Sequence, residues 1–347
     1  MNTALKSASA NPQRKKSLTP RAFLFITGCF ILLLLSMAVS IAKGAMNIPL
    51  SEVLDALLHF DPDNTRHLII VDLRLPRVLA SALVGSAFAV AGGLMQGVTR
   101  NPMADSGLMG LNAGAGFSLA LCFAFFTGLS YMSIIFFSFL GAALGAGLVY
   151  GIASVQKGGA TPMRLVLAGA ATSALLSALS QGIAYYHQVD QDIMFWLAGG
   201  VAGSDWRQLK LFGPWVGVAL VGAIAISRQV TLLSLGEEVS KGLGLNTTFV
   251  KGISALLVLM LAGASVAVMG AVGFIGLVIP HLVRYFLGLD YKHILPGAAV
   301  LGALLMVLAD LGARMLNPPF ETPVGALISL IGVPFFLYLA RKERRAF

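Results

Sequence analysis

The sequence predicts an all-α, polytopic membrane protein of about ten transmembrane helices. Three observations predict it. Hydrophobic residues make up 57% of the 347-residue chain and charged residues only 11%, where a soluble domain carries about 25% charge. Apolar runs of roughly 20 residues recur along the whole chain, each long enough to cross a bilayer as a helix. The runs do not alternate and are not the roughly ten-residue segments of a membrane barrel.

The elements follow in order. Residues 1–21 are a polar, basic tail, and an apolar run follows at 22–42. A signal peptide cleaved after Ser40-Ile41-Ala42 competes with a retained span. The run exceeds the usual 7–15 apolar residues of a signal, which favours a first span. The polar stretch 43–72 holds a short amphipathic helix at 50–60, with Ser51 as its expected cap. Further spans are expected at about 77–98, 108–128, 131–154, 165–186, 209–227, 250–270, 272–288, 295–315 and 323–340. Gly270, Gly273 and Gly276 blur the turn between the seventh and eighth. The whole reads as one transmembrane permease domain, 22–340, between basic tails at 1–21 and 341–347.

Charge distribution orients the chain. With the N-terminus in the cytoplasm, most of the 24 Lys and Arg fall on the inner side and most acids on the outer side. That is the positive-inside bias, so the net charge of +9 is topological and calls for no nucleic acid. Ten spans put both termini in the cytoplasm. The two cysteines, Cys29 and Cys122, lie inside apolar runs and offer neither a disulfide framework nor metal spacing. No Walker A pattern, HExxH or nucleophile elbow is present, so neither nucleotide binding nor catalysis is expected of this chain.

Five features carry the functional argument. The first is LLSLGEEVSKGLGLN, 232–246, a polar island between two spans. Glu237 and Lys241 form a favourable i,i+4 pair, with Gly236 to start a short helix and Gly242 to stop it. Alone, the island reads as a solvated loop helix or as a surface on which a partner pushes. The second is the Gly- and Pro-broken stretch after span two, around Asn101, Pro102, Met103 and Ala104. Irregular backbone near membrane depth persists only where protein or water covers it. It reads as a loop or as a gate, with Thr161-Pro162 in the next inner loop as its neighbour. The third is a set of arginines against the inside bias: Arg74, Arg77 and Arg314. They are either interfacial anchors or guanidinium forks for the carboxylates of a docking partner. The fourth is Asp310, the one acid well inside a span. It is a proton-relay candidate, although Arg314 one turn on makes a local ion pair the plainer reading. The fifth is a faint repeat, AFAVAG at 87–92 and SVAVMG at 265–270, each ahead of a broken region.

Several stretches together resemble the FecCD-type permeases of ABC importers for iron–siderophores, haem and cobalamin. They are RLPRVLASALVGSAFAVAGGLMQGVTRNPMADSGLMG (74–110), WLAGGVAGSDWRQL (196–209), LGEEVSKGLGL (235–245), GFIGLVIPHLVR (273–284), LPGAAVLGALLMVLADLGAR (295–314) and PVGALISLIGVPFF (323–336). The resemblance implies a cobalamin-permease-like, type II importer fold in the bacterial cytoplasmic membrane. It implies a second permease subunit, identical or a sister chain, with a cavity between the two lined by span five and the short helix after it. It implies an outer binding protein whose acids meet Arg74, Arg77 and Arg314, and an inner gate at Asn101–Ala104 and Thr161-Pro162. A cytoplasmic ATPase dimer would engage Leu235, Gly236, Glu237, Glu238, Ser240, Lys241, Gly242, Leu243, Gly244 and Leu245, with the leucines as its apolar contacts. ATP and Mg²⁺ would bind that partner, and this chain would hold no cofactor. The expected cargo is an iron(III)–siderophore complex, with haem or cobalamin as alternatives. A proton-coupled carrier built on Asp310 is the reading from another class.

Overall fold

The computed structural model describes residues 20–44, 46–126, 128–155, 162–197, 200–317 and 320–343. All regular elements among them are helical. Helix α1 is Pro20–Ala42, α2 is Leu50–Leu58 and α3 is Thr65–Leu68. A π-helical turn, Ile69–Arg74, joins α3 to α4, Leu75–Thr99. After a break and a 3₁₀ turn at Ser106–Met109 come α5 (Leu111–Phe125), α6 (Tyr131–Ser154), α7 (Pro162–His187) and α8 (Asp190–Leu197). Then follow α9 (Trp206–Ala225), α10 (Ser227–Ser234), α11 (Glu237–Gly242) and α12 (Thr247–Val258). A second π turn, Leu259–Gly263, continues α12 into α13, Ala264–Met269. Helices α14 (Ile275–Leu287), α15 (Tyr291–Met315) and α16 (Val324–Glu343) end the fold.

Seven helical stretches among the described residues are long and apolar enough to span a membrane. Three of the ten expected spans are instead shorter apolar helices: Leu111–Phe125, Ile275–Leu287 and Val324–Tyr338. The seventh and eighth spans are separate, because the chain leaves helical geometry at Gly270 and Phe274 adopts a positive φ of 69°. The helix after the first span begins one residue before Ser51, at Leu50, with Pro49 ahead of it and no side-chain cap. A rigid Pro φ just outside the first turn sets the entry that a Ser51 cap was expected to set. The two repeat hexapeptides occupy different places: 265–270 runs into a break, whereas 87–92 lies in the middle of α4.

Helix α4 is the axis of the bundle, and α15, α14, α9, α12 and α10 surround it. Lipid offers no hydrophobic drive for helices to associate, so small residues that let backbones approach must supply close packing. The sequence places them at the crossings. A Cβ added at Gly92 would overlap the carbonyl of Gly276 on α14, and one at Gly85 would overlap that of Gly302 on α15. Pro280 adds a second constraint. Having no N–H, it leaves the Gly276 carbonyl without its helical partner. The buried Gln96 side chain donates to that oxygen at 3.1 Å, so a side chain of α4 replaces the missing rung of α14.

Candidate functional site

The island is a built device. Gly236 precedes α11 at φ 125°, and Gly244 follows it at φ 81°. The helix is therefore stopped by Gly244, and Gly242, expected as the stop, is its last residue. The Leu245 amide donates to the Ser240 carbonyl and the Gly244 amide to the Lys241 carbonyl, the paired closure of a Schellman end, which needs a left-handed residue at position 244. Ser240 is fully buried, its hydroxyl donating to the Leu232 carbonyl at 2.8 Å and the Gly236 carbonyl at 2.5 Å. It holds the turn and presents nothing outward, contrary to its expected place among the partner contacts.

Glu237 fastens the island to the next span. Its carboxylate accepts from Lys251 of α12 at 2.7 Å and pairs with Lys241 at 3.1 Å. Hydrogen bonds from Lys251 and then Lys241 lower its pKa to about 2. A lowered carboxylate pKa stabilises the fold fully above the unfolded value, about 4.5, and loses that contribution as pH falls toward 2. The link is thus constant from pH 5 to 8. Glu237→Gln is expected to raise amide exchange over 237–245 at neutral pH up to about fivefold, the range of two largely exposed ion pairs. Exchange corrected for intrinsic rate checks this, and the wild type should show no trend between pH 5 and 8.

With Ser240 turned inward and Glu237 paired, three apolar side chains of the island stand outward beside the exposed Glu238 and Lys241. Leu235 is 61% exposed, Val239 52% and Leu243 61%. Val239 lies on α11, and Leu235 and Leu243 flank that helix at its two ends. Val239 is the member that sequence reasoning missed, although its spacing from Leu235 and Leu243 was the available signal. Leu245 is half-buried, and Glu238, Lys241 and Gly242 are exposed.

The island is tied to the bundle through α10. Thr231 donates to the Asp290 carboxylate at 3.0 Å and accepts the Tyr291 amide at 2.9 Å, joining α10 to the start of α15. Gly97, near the end of α4, sits against Val230 and Tyr291. The break after α4 begins beside this junction. Arg100 closes α4 in left-handed geometry at φ 53°, and its guanidinium lies near Gly236. The Asn101 side chain accepts the Met103 amide at 2.9 Å, and the Ala104 amide donates to the Asn101 carbonyl, making a tight turn. Asn101, Pro102 and Met103 are half-buried and Ala104 is buried. The following 3₁₀ turn packs on α7. Thr161 lies outside the described residues, and Pro162 opens α7.

The three arginines lie at the opposite end of α4, about 37 Å away by helical rise. They are not open forks. Arg77 is 9% exposed and clasps two carboxylates, Asp310 at 2.8 Å and Glu321 at 2.6 Å. Arg74 donates to the Ile41 carbonyl at 2.6 Å, Ala42 at 3.1 Å and Met46 at 2.5 Å, closing the end of α1. Arg314 donates to Ser40 and pairs with Asp310 at 3.3 Å. The Asp310–Arg314 pair expected from spacing is therefore present, but the shorter bond runs to Arg77, 233 residues away. Glu321, 46% exposed on its side chain, is a further member that the sequence did not single out.

A model of the FecCD transport family matches residues 32–342. The chain belongs to the FecCD transport family. It is 50% identical, over 95% of its length and 86% of the relative's, to the iron(3+)-hydroxamate import system permease protein FhuB of Bacillus subtilis. It is 41% identical to the iron-uptake system permease protein FeuB of the same organism, over 89% of this chain and 92% of that one. It is 37% identical to the hemin transport system permease protein HmuU of Yersinia pestis, over 91% and 95%. Among solved structures it is similar to a metal-chelate type ABC transporter in an inward-facing conformation, with a TM-score of 0.80 and 29% identity, covering 91% of this chain and 98% of that one. Within the FecCD permease the island, the broken turn and the arginine cluster thus lie along one axial helix, with the first two at one end and the third at the other.

Proposed function

We propose that this FecCD permease is the membrane subunit of an ABC importer for iron(III)–hydroxamate siderophores. The observation that carries the cargo class is the likeness to the hydroxamate permease along nearly the whole chain. The energy enters from a separate ATPase dimer at Leu235, Val239 and Leu243, three exposed apolar side chains of the island. From there α10 and the end of α4 lead directly to the Asn101–Ala104 turn, so a push on the island displaces the gate. The island and both termini face the cytoplasm of a bacterial cell, a reading supported by the positive-inside bias of Lys and Arg. A second permease subunit packs along α7, which exposes Leu175, Leu179, Tyr185 and Tyr186.

The substrate-binding protein docks at the arginine end. Its acids reach Arg77 only by exchange for Glu321, since the guanidinium is already filled. The same filling argues against a proton carrier on Asp310, because Arg77 and Arg314 already occupy its carboxylate oxygens. Transport is tested by reconstituting the permease with its ATPase and binding protein and comparing ATP-driven uptake of ferric hydroxamate, ferric citrate and haem. Uptake of ferric hydroxamate well above the others is expected; preference for haem or citrate would overturn the cargo. Val239→Glu is expected to weaken ATPase capture at least tenfold in a pull-down, with the melting temperature of the permease unchanged. Burying a carboxylate where the partner meets Val239 costs more than the roughly 1.4 kcal/mol that a factor of ten requires.

A further inference from the structure

The three arginines of the cluster divide by what each already holds. A helix leaves its last four carbonyls without intrahelical donors. For α1 these belong to Val39, Ser40, Ile41 and Ala42, and each is met. The Lys43 amide donates to Val39 at 2.8 Å, Arg314 donates to Ser40, and Arg74 donates to Ile41 and Ala42. A carboxylate arriving from solvent takes Arg74 or Arg314 only by uncapping α1, and a stranded helix carbonyl is costly.

Arg77 caps nothing. A guanidinium pairs with a carboxylate through two parallel N–H bonds, and Arg77 does so twice. One edge, Nε and Nη2, donates to Asp310 at 3.1 and 2.8 Å. The other, Nη1 and Nη2, donates to the two oxygens of Glu321 at 2.6 and 3.1 Å. The two acids differ in their freedom to leave. The Asp310 side chain is 1% exposed and that of Glu321 is 46% exposed. Next to Glu321, the Thr322 amide donates to the Ala313 carbonyl at 3.2 Å. The Glu321 side chain can therefore turn out to water while the backbone beside it stays on α15. Its departure leaves Arg77 and Arg314 sharing one carboxylate, Asp310.

We infer that a partner's carboxylate docks on Arg77 alone, in the seat that Glu321 occupies, and that Glu321 is a placeholder keeping docking weak until it is displaced. Arg74 and Arg314 are positioning residues that cap α1 and steady the cluster. The inference rests on the docking of a substrate-binding protein at this end, and adds which guanidinium is read and what regulates it. A partner meets only those molecules whose second Arg77 edge is free, so its apparent affinity is reduced by that fraction. Removing the placeholder removes the reduction.

The test is docking of the binding protein used for uptake onto the permease–ATPase complex in nanodiscs, read as a dissociation constant at fixed ionic strength. Glu321→Ala is expected to tighten docking about fivefold, the most that a largely exposed pair holds. Arg77→Gln combined with Asp310→Asn, the milder change to the fold, should weaken docking at least about tenfold, as for a lost charge-assisted pair. In that background Glu321→Ala should have no effect. Arg74→Gln and Arg314→Gln should lower the melting temperature and leave the dissociation constant of the folded complex within about twofold, as for sites without a shared partner. Docking unchanged or weakened by Glu321→Ala would overturn the placeholder, since Glu321 would then not compete with the partner. A loss with Arg74→Gln or Arg314→Gln as large as with the Arg77 variant would overturn the choice of a single guanidinium. In both cases the Arg77 variant still weakens docking, so the docking end stands. If no arginine substitution changes the dissociation constant, the partner docks elsewhere, and the docking assignment falls together with the inference.

Discussion

Gly92→Leu is expected to abolish the folded permease. The position lies mid-way along the axial helix, where α4 and α14 touch backbone to backbone, and even a Cβ would overlap the Gly276 carbonyl. The obstruction is main chain, which cannot rotate away as a side-chain tip can. Separating the helices would also break the Gln96 bond that caps the carbonyl freed by Pro280. Overpacking a close-packed interior costs about 1–3 kcal/mol and occasionally more, and this crossing falls at or beyond the upper end. Gly92→Ala should lower the melting temperature of the purified permease markedly, and Gly92→Leu should leave no monodisperse protein on size exclusion. Gly252→Ala on α12, where nothing lies within 4 Å of the added carbon, should be neutral or slightly stabilising.

Arg77→Ala has the second largest expected effect. It would strand Asp310, whose side chain is 1% exposed, with Arg314 at 3.3 Å as its remaining partner. Removing one member of a buried ion pair destabilises by about 3–5 kcal/mol, because the partner charge stays buried. Arg77→Gln combined with Asp310→Asn should be milder than Arg77→Ala, since it leaves neutral groups that can bond each other. Thermal unfolding of the three proteins in the same detergent checks the order. If the double substitution is the least stable, the pair contributes attraction beyond its own desolvation cost. Glu321→Gln should change stability little, since its side chain is 46% exposed and exposed pairs contribute about 0–1 kcal/mol.

Much of this fold was legible in the chain, for a simple reason. A segment that must satisfy its backbone inside a bilayer has little choice but helix, so run length and apolar content locate the spans. The island was legible too, because a polar patch between two spans has only one place to go. Less visible was what each residue of the island does. Ser240 and Glu237 look alike in sequence, both polar and both available. The structure buries Ser240 beneath the turn and bonds Glu237 across to Lys251, leaving Val239 on the outer face. Orientation around a six-residue helix depends on what it docks against, and so short a helix carries too little periodic signal to settle it.

The arginine cluster shows the same boundary. Composition and position set Arg74, Arg77 and Arg314 apart as charges on the wrong side of the inside bias, and spacing pairs Asp310 with Arg314. Both readings are local. The decisive bond, Arg77 to Asp310, joins residues 233 apart, and the match of Gln96 to the carbonyl exposed by Pro280 spans 180. The sequence by itself determined the class of the protein, the order and approximate bounds of its spans, the family, and the stretches where function resides. Only the tertiary structure decided which guanidinium meets which carboxylate and which island residues face outward. The physical reason is that bilayer crossing is a property of each segment alone, whereas pairing and packing are properties of segments brought together.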